Sequence, residues 1–220
     1  MTATERAQLT GPAGALEARI ETAPGAAQPR EVRAFGVVCH PHPLYSGTLD
    51  NKVVWTLARA FQQCGAPTIR FNFRGVGASA GSYDEGRGET QDTLAVIAYG
   101  RQRWPQAALW LGGFSFGGVV AVQAAGPAQA ACLVTVAPGI TRIAVDPAAA
   151  PRCPWLIVQG DADDVVPADV VIGWAHTLTP PPQLKVLPRA GHFFHGRINE
   201  LRDVVLEFMQ RLPEGARARP

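Results

Sequence analysis

Ser115 lies in Gly113-Phe114-Ser115-Phe116-Gly117, a small hydroxyl between glycines inside the apolar run "LWLGGFSFGGVVAVQAAG". Alone, a serine hydroxyl is a poor nucleophile. It attacks a carbonyl when a positioned base takes its proton and a third group holds that base in the right tautomer. A G-x-S-x-G turn from strand to helix lifts the serine oxygen clear of a sheet, and glycine leaves room for the elements on either side. The plainer reading of the same serine is a helix cap. For the base, "RAGHFFHGR" offers His192 in a loop and His195 at the start of a helix. Loop placement favours His192 as base, with His195 as a cap or a solvent-facing residue; His176 falls within a helical stretch. For the third group, Asp161, Asp163 and Asp164 follow "PWLIVQG". Asp161 suits a side-chain-stabilised turn and Asp164 the cap of the next helix, which leaves Asp163 as the middle choice. The chain order Ser, Asp, His is one of the known orders of this triad.

These residues need a scaffold that brings strand ends together. Short β-rich runs alternate with segments of helical period: "EVRAFGVVCH" reads as a strand and "DNKVVWTLARAFQQCG" as a helix with Val53, Val54, Leu57, Ala58 and Phe61 on one face. Strands follow at "PTIRFNF", "AALWLGG", "ACLVTVA", "PWLIVQG" and "QLKVLP", with helices at "TQDTLAVIAYGRQ", "FGGVVAVQAAG", "PADVVIGWAHTL" and "NELRDVVLEFMQRL". Nearly continuous apolar strands separated by helices describe an α/β fold, a mostly parallel sheet flanked by helices on both faces. "GALEARIETA" supplies an antiparallel strand or two at its edge, and residues 138–153 are too short and too proline-rich for a cap domain. In such sheets the chemistry sits just beyond the carboxyl ends of the strands, where Ser115, Asp163 and His192 all fall.

The 220 residues, 47% of them hydrophobic, suit one domain spanning 1–220, with loose tails expected at about 1–13 and 213–220. A formal charge of +2 favours neither nucleic acid nor a charged membrane surface as partner, and no apolar stretch has the length of a membrane span. The opening residues hold no apolar run of signal-peptide type, and Cys39, Cys64, Cys132 and Cys153 show no paired spacing. Free thiols of this kind point to a reducing, cytoplasmic setting. Nothing indicates an oligomeric state.

With these residues assembled, the chain between about 15 and 212 resembles the α/β-hydrolase superfamily, in particular small lidless bacterial serine hydrolases of the dienelactone-hydrolase-like group. Gly160, Asp163, Val166 and Pro167 match the family's pattern around its acid, which singles out Asp163, and Gly191-His192-Phe193-Phe194 resembles the setting of its histidine. "HPHPLYSGTLDNKVV" is similar to the family's oxyanion loop. The resemblance therefore implies backbone N–H donors at Phe116 and His42, with Leu44 as the alternative to His42 because Pro41 stands where many relatives have glycine. "RFNFRGVGASAGSYDEGRGE" would line the opposite wall. The implied activity is cleavage of small or short-chain carboxylic esters through an acyl-enzyme, with a small-molecule ester as the partner and no cofactor or metal. A thioesterase, lactonase or small-amide hydrolase would use the same residues. A non-catalytic binding protein could share the fold.

Two other motifs point elsewhere. His40 and His42, two apart after a strand, could share a metal with Asp50, but Leu44 and Tyr45 stand where a metallo-β-lactamase-type site needs its Asp and His. Gly75-Val76-Gly77-Ala78-Ser79-Ala80 fits a loose dinucleotide fingerprint, yet "GSYDEGRGE" does not open the helix which that site requires. Phe114, Phe116, Phe193, Phe194 and Tyr45 suit an acyl pocket and ordinary core equally.

Overall fold

A computed structural model describes residues 3–22, 32–145 and 150–216. Eight strands form one sheet: β1 (Ala3–Gly11), β2 (Gly14–Thr22), β3 (Ala34–Cys39), β4 (Thr68–Phe71), β5 (Ala108–Phe114), β6 (Cys132–Val136), β7 (Trp155–Gly160) and β8 (Gln183–Leu187). Their spatial order is β1-β2-β4-β3-β5-β6-β7-β8. From β4 to β8 every neighbouring pair is parallel, while β2 runs antiparallel to both β1 and β4. The central strands are buried along their length, with only Ala108 at the start of β5 partly exposed, as a sheet covered on both faces requires.

Five helices cover it: α1 (Lys52–Gln63), α2 (Arg87–Arg103), α3 (Phe116–Ala125), α4 (Ala168–Thr177) and α5 (Ile198–Gln210). Alternation along β3 sorts them. Phe35, Val37 and Cys39 face a core shared with Val96 of α2, Val120 of α3 and Val171 of α4. Ala34 and Val38 face the other core, with Leu57 and Phe61 of α1 and Leu201 and Val205 of α5. The expected apolar face of α1 is thus its buried face, and the Asn51 side chain starts the helix by accepting from the Val53 N–H at 2.9 Å. No cap domain rises over the strand ends among the described residues.

Both expected tails need correction. Residues 3–11 form a strand, paired along its length with β2 from Ala3 opposite Thr22 to Gly11 opposite Gly14. Its composition resembles a loose end because it is an edge strand: most of its side chains meet water, and Leu9 alone is buried. At the other end, Glu214–Ala216 form a 3₁₀ turn whose Ala216 carbonyl accepts the indole N–H of Trp110 at 2.6 Å. Residues 1–2 and 217–220 lie outside the described residues.

The antiparallel edge is fastened by a buried ion pair. Arg70 on β4 donates through Nη2 and Nε to the two carboxylate oxygens of Glu21 on β2, at 2.9 and 3.1 Å, and Gln62 of α1 adds a third donor at 3.1 Å. Removing Glu21 leaves the buried Arg70 guanidinium with only the exposed Asp50 carboxylate, at 3.3 Å, as counter-charge. Glu21→Ala is expected to cost about 3–5 kcal/mol of stability in urea unfolding; a loss within 0.5 kcal/mol, ordinary for a surface change, would show that the pair does not hold the edge.

Candidate active site

At the end of β5 the chain turns directly into α3, and the turn residue is Ser115, with φ 55° and ψ −119°. A side chain in this region of backbone space is strained. Neighbouring hydrogen bonds enforce the conformation: the Ser115 N–H donates to the Val136 carbonyl at 2.9 Å, and its own carbonyl accepts from Gly118 and Gly139, each at 2.9 Å. The flanking glycines have steric reasons. A Cβ on Gly113 would stand 2.1 Å from the Gly117 carbonyl oxygen, and one on Gly117 would stand 2.3 Å from that of His40.

Three sequence-predicted side chains meet at this turn. His192, in the loop after β8, has Nε2 3.1 Å from the Ser115 hydroxyl oxygen. Its Nδ1 is 2.8 Å from Oδ2 of Asp163, in the loop after β7. Asp163 Oδ1 accepts the N–H groups of Val165 at 2.9 Å and Val166 at 2.8 Å. Burial works against the Asp163 charge, but the His192 bond and these backbone N–H groups outweigh it and hold the carboxyl below its ordinary range. A carboxylate there makes His192 Nδ1 the donor, which leaves Nε2 to accept the serine proton.

The neighbouring candidates have other duties. Asp161 accepts the backbone N–H of Arg189, a turn contact, and Asp164 is exposed. His195 is also exposed, its ring tilted against that of Phe193 with centroids 6.0 Å apart. The N–H of Leu44, the alternative oxyanion donor, donates to Nδ1 of His42 at 3.2 Å. The N–H groups of Phe116 and His42 meet no backbone acceptor among the described residues, and both residues line the same cavity as Ser115 and His192.

That cavity, of about 540 Å³, is also lined by Tyr45, Val165, Val166, Phe193 and Arg142. The aromatic residues divide. Phe114 and Phe194 are core, with Phe114 packed 4.9 Å from the His192 ring, while Phe116, Phe193 and Tyr45 border the cavity. Gln159, at the end of β7, was not anticipated; its Nε2 donates to Asp163 Oδ2 and to the Val166 carbonyl, each at 3.0 Å, fixing the carboxylate from below. An amide in the otherwise apolar run "PWLIVQG" was the visible signal.

His40 is wholly buried, with Nδ1 donating to the Pro41 carbonyl at 2.6 Å and Nε2 accepting the Phe73 N–H at 3.0 Å. Neither ring nitrogen is left for a metal. The Gly75–Ala80 turn folds back onto β2, where Glu17 accepts the Ala78 N–H at 3.0 Å, and α2 begins only at Arg87.

This geometry has close counterparts. A sequence-family model described as "alpha/beta hydrolase fold" matches residues 44–152. An a/b serine hydrolase without lid from Xanthomonas campestris is 38% identical, covering 99% of this chain and 97% of that one, with a TM-score of 0.88. An alpha-beta serine hydrolase homologue from Coxiella burnetii is 42% identical over 92% of this chain and 96% of its own, with a TM-score of 0.86. Dienelactone hydrolase from Anabaena variabilis shares the fold at 16% identity, covering 96% of this chain and 98% of its own, with a TM-score of 0.78. The chain belongs to the α/β-hydrolase superfamily. Fold and relatives together mark it as a lidless hydrolase of the serine-hydrolase type.

The buried His40 gives the site an acid weakness. Burial lowers its pKa from 6.5 to about 4, more than the Pro41 bond raises it. As pH falls through this interval the unfolded chain takes up a proton that the folded chain refuses, so stability declines on the way down. Urea unfolding of the wild type should show this decline between pH 6.5 and 4, and His40→Asn, with no group to protonate, should show a shallower one. Equal slopes in the two proteins would contradict the assignment.

Proposed function

We propose that the chain is a serine esterase that cleaves small or short-chain carboxylic esters through an acyl-enzyme on Ser115. The observation that carries this is the continuous bond sequence from Ser115 to His192 to Asp163, with 3.1 and 2.8 Å links, seated on a strained strand-to-helix turn and open to a cavity. The similarity to proteins described as serine hydrolases supports it.

In this mechanism the Ser115 oxygen attacks the ester carbonyl as its proton passes to Nε2 of His192. Asp163 keeps the imidazole in the productive tautomer and stabilises its cationic form. Negative charge then collects on the former carbonyl oxygen, which the N–H groups of Phe116 and His42 receive; a donor in this position contributes about 10²–10³ in rate. The tetrahedral intermediate collapses, His192 returns the proton to the departing alkoxide, and the alcohol leaves. Water, deprotonated by the same imidazole, repeats the addition and frees the acid and the serine. The N-terminus of α3 places positive potential under this oxygen throughout.

The cavity favours small substrates. Three of the apolar side chains in its wall, Tyr45, Val165 and Phe193, are themselves open to solvent. With no cap among the described residues, each further methylene of a long acyl chain would extend into water and gain none of the ~0.8 kcal/mol that burial provides. The test is a chain-length series of chromogenic esters. Turnover should peak at short acyl groups in the wild type and fall by roughly 10⁴–10⁶ in Ser115→Ala. Equal rates in the two proteins would remove Ser115 from the reaction, and a steady rise toward long chains would refute the size assignment.

A further inference from the structure

Tyr83 has no part in the mechanism above, yet its surroundings hold it in a defined place. It lies in the 74–86 segment between β4 and α2, which two wholly buried carboxylates strap to the first turns of α2. Asp92 accepts the backbone N–H of Arg74 at 3.1 Å and its Nε and Nη2 at 3.0 and 2.8 Å. Glu89 accepts the N–H groups of Asp84 at 2.9 Å and Gly86 at 2.8 Å, one and three residues beyond Tyr83.

From this anchored position the Tyr83 hydroxyl reaches Nε2 of His42 at 3.2 Å. The tautomer of His42 follows from its other nitrogen. Nδ1 accepts the Leu44 N–H, so it carries no proton, and Nε2–H donates to the Tyr83 oxygen. Both ring nitrogens are therefore used, one gripping the 3₁₀ turn Pro43–Tyr45 and the other tied to the opposite wall of the site. Burial and then the nearby Arg142 cation both lower its pKa, disfavouring the charged ring. The charged and titratable groups around it are Arg142, Tyr45 and Tyr83.

Packing extends the same link to the second oxyanion donor. The His42 ring lies 5.0 Å from that of Phe116 and 5.0 Å from that of Tyr83, and Phe116 and Tyr83 are 5.8 Å apart. The side chains of the two residues that would offer backbone N–H groups thus form one three-ring cluster with Tyr83. We propose that Tyr83 is a positioning residue: through the His42 imidazole it fixes the spacing of the His42 and Phe116 N–H groups that receive the oxyanion. This rests on the esterase reading given above.

A role in the oxyanion site acts on the transition state and spares ground-state binding. The test compares wild type, Tyr83→Phe, His42→Ala and the double variant on a short-chain p-nitrophenyl ester and on a trifluoromethyl ketone that mimics the tetrahedral adduct. His42→Ala keeps the backbone donor and deletes only the ring. Tyr83→Phe should lower kcat about 5- to 10-fold, the scale of one lost neutral hydrogen bond, with KM within twofold and ketone affinity falling in parallel. His42→Ala should lose at least as much, and adding Tyr83→Phe to it should change nothing further. Unchanged kcat in Tyr83→Phe, additive losses in the double variant, or a loss confined to KM would overturn the proposal. Should Tyr83→Phe fail to fold, His42→Ala decides: retention of wild-type ketone affinity overturns it. Labelling of wild-type Ser115 by a fluorophosphonate separates the two levels. A labelled, active wild type with indifferent variants refutes only the positioning role, whereas an unlabelled, inactive one refutes the esterase reading and this role with it.

Discussion

The carbonyl oxygens of Cys39 and His40 lie 2.5 and 2.3 Å from where a Cβ on Gly117 would stand, so the end of β3 and the start of α3 meet backbone to backbone. That contact leaves the chain no gentle route from β5 into the helix. It must turn within one residue, and the residue that turns, Ser115, takes a positive φ that side chains avoid. The strain is carried by bonds from three directions, since Val136, Gly118 and Gly139 all bind the Ser115 backbone. The same crowding sets the direction of the hydroxyl and leaves the Phe116 N–H open to the cavity. One close approach thereby places both the Ser115 hydroxyl and the Phe116 N–H to which the proposed mechanism gives the attack and the oxyanion.

Around it the site has three supports, each built on buried polar groups that hydrogen-bond one another, which low-dielectric surroundings strengthen. Gln159 and the N–H groups of Val165 and Val166 hold Asp163, which holds His192. His40 ties the end of β3 to the second residue after β4 by accepting the Phe73 N–H while donating to Pro41, and so fixes the entry to the His42 loop. Glu89 and Asp92 strap the wall that carries Tyr83. Sheet and helices supply the frame, while these buried polar groups set the positions of atoms within it.

Much of this was legible in the sequence because parallel α/β architecture puts chemistry at strand ends, and strand ends are visible as apolar runs stopped by glycine. Ser115, Asp163 and His192 each follow such a run. The remainder depended on pairings that residue types and spacing do not record. Residues 3–11 read as a tail because an exposed edge strand has few apolar positions; its order comes from pairing with β2, which composition does not record. The bond from the Leu44 N–H to the His42 ring has no signature in residue types or spacing. Gln159 showed only as an amide in an apolar run, with nothing to name Asp163 as its partner, and Tyr83 bonds His42, 41 residues away, with no local motif to mark it.

The central claim is that Ser115 becomes acylated during turnover. Rapid-quench intact-mass measurement on the wild type with an activated short-chain ester tests it most directly. A transient mass increase equal to the acyl group, mapping to the peptide that contains Ser115 and absent in Ser115→Ala, is the predicted result. Turnover with no adduct under conditions where release of the acyl group is the slow step, or an adduct on another residue, would contradict it.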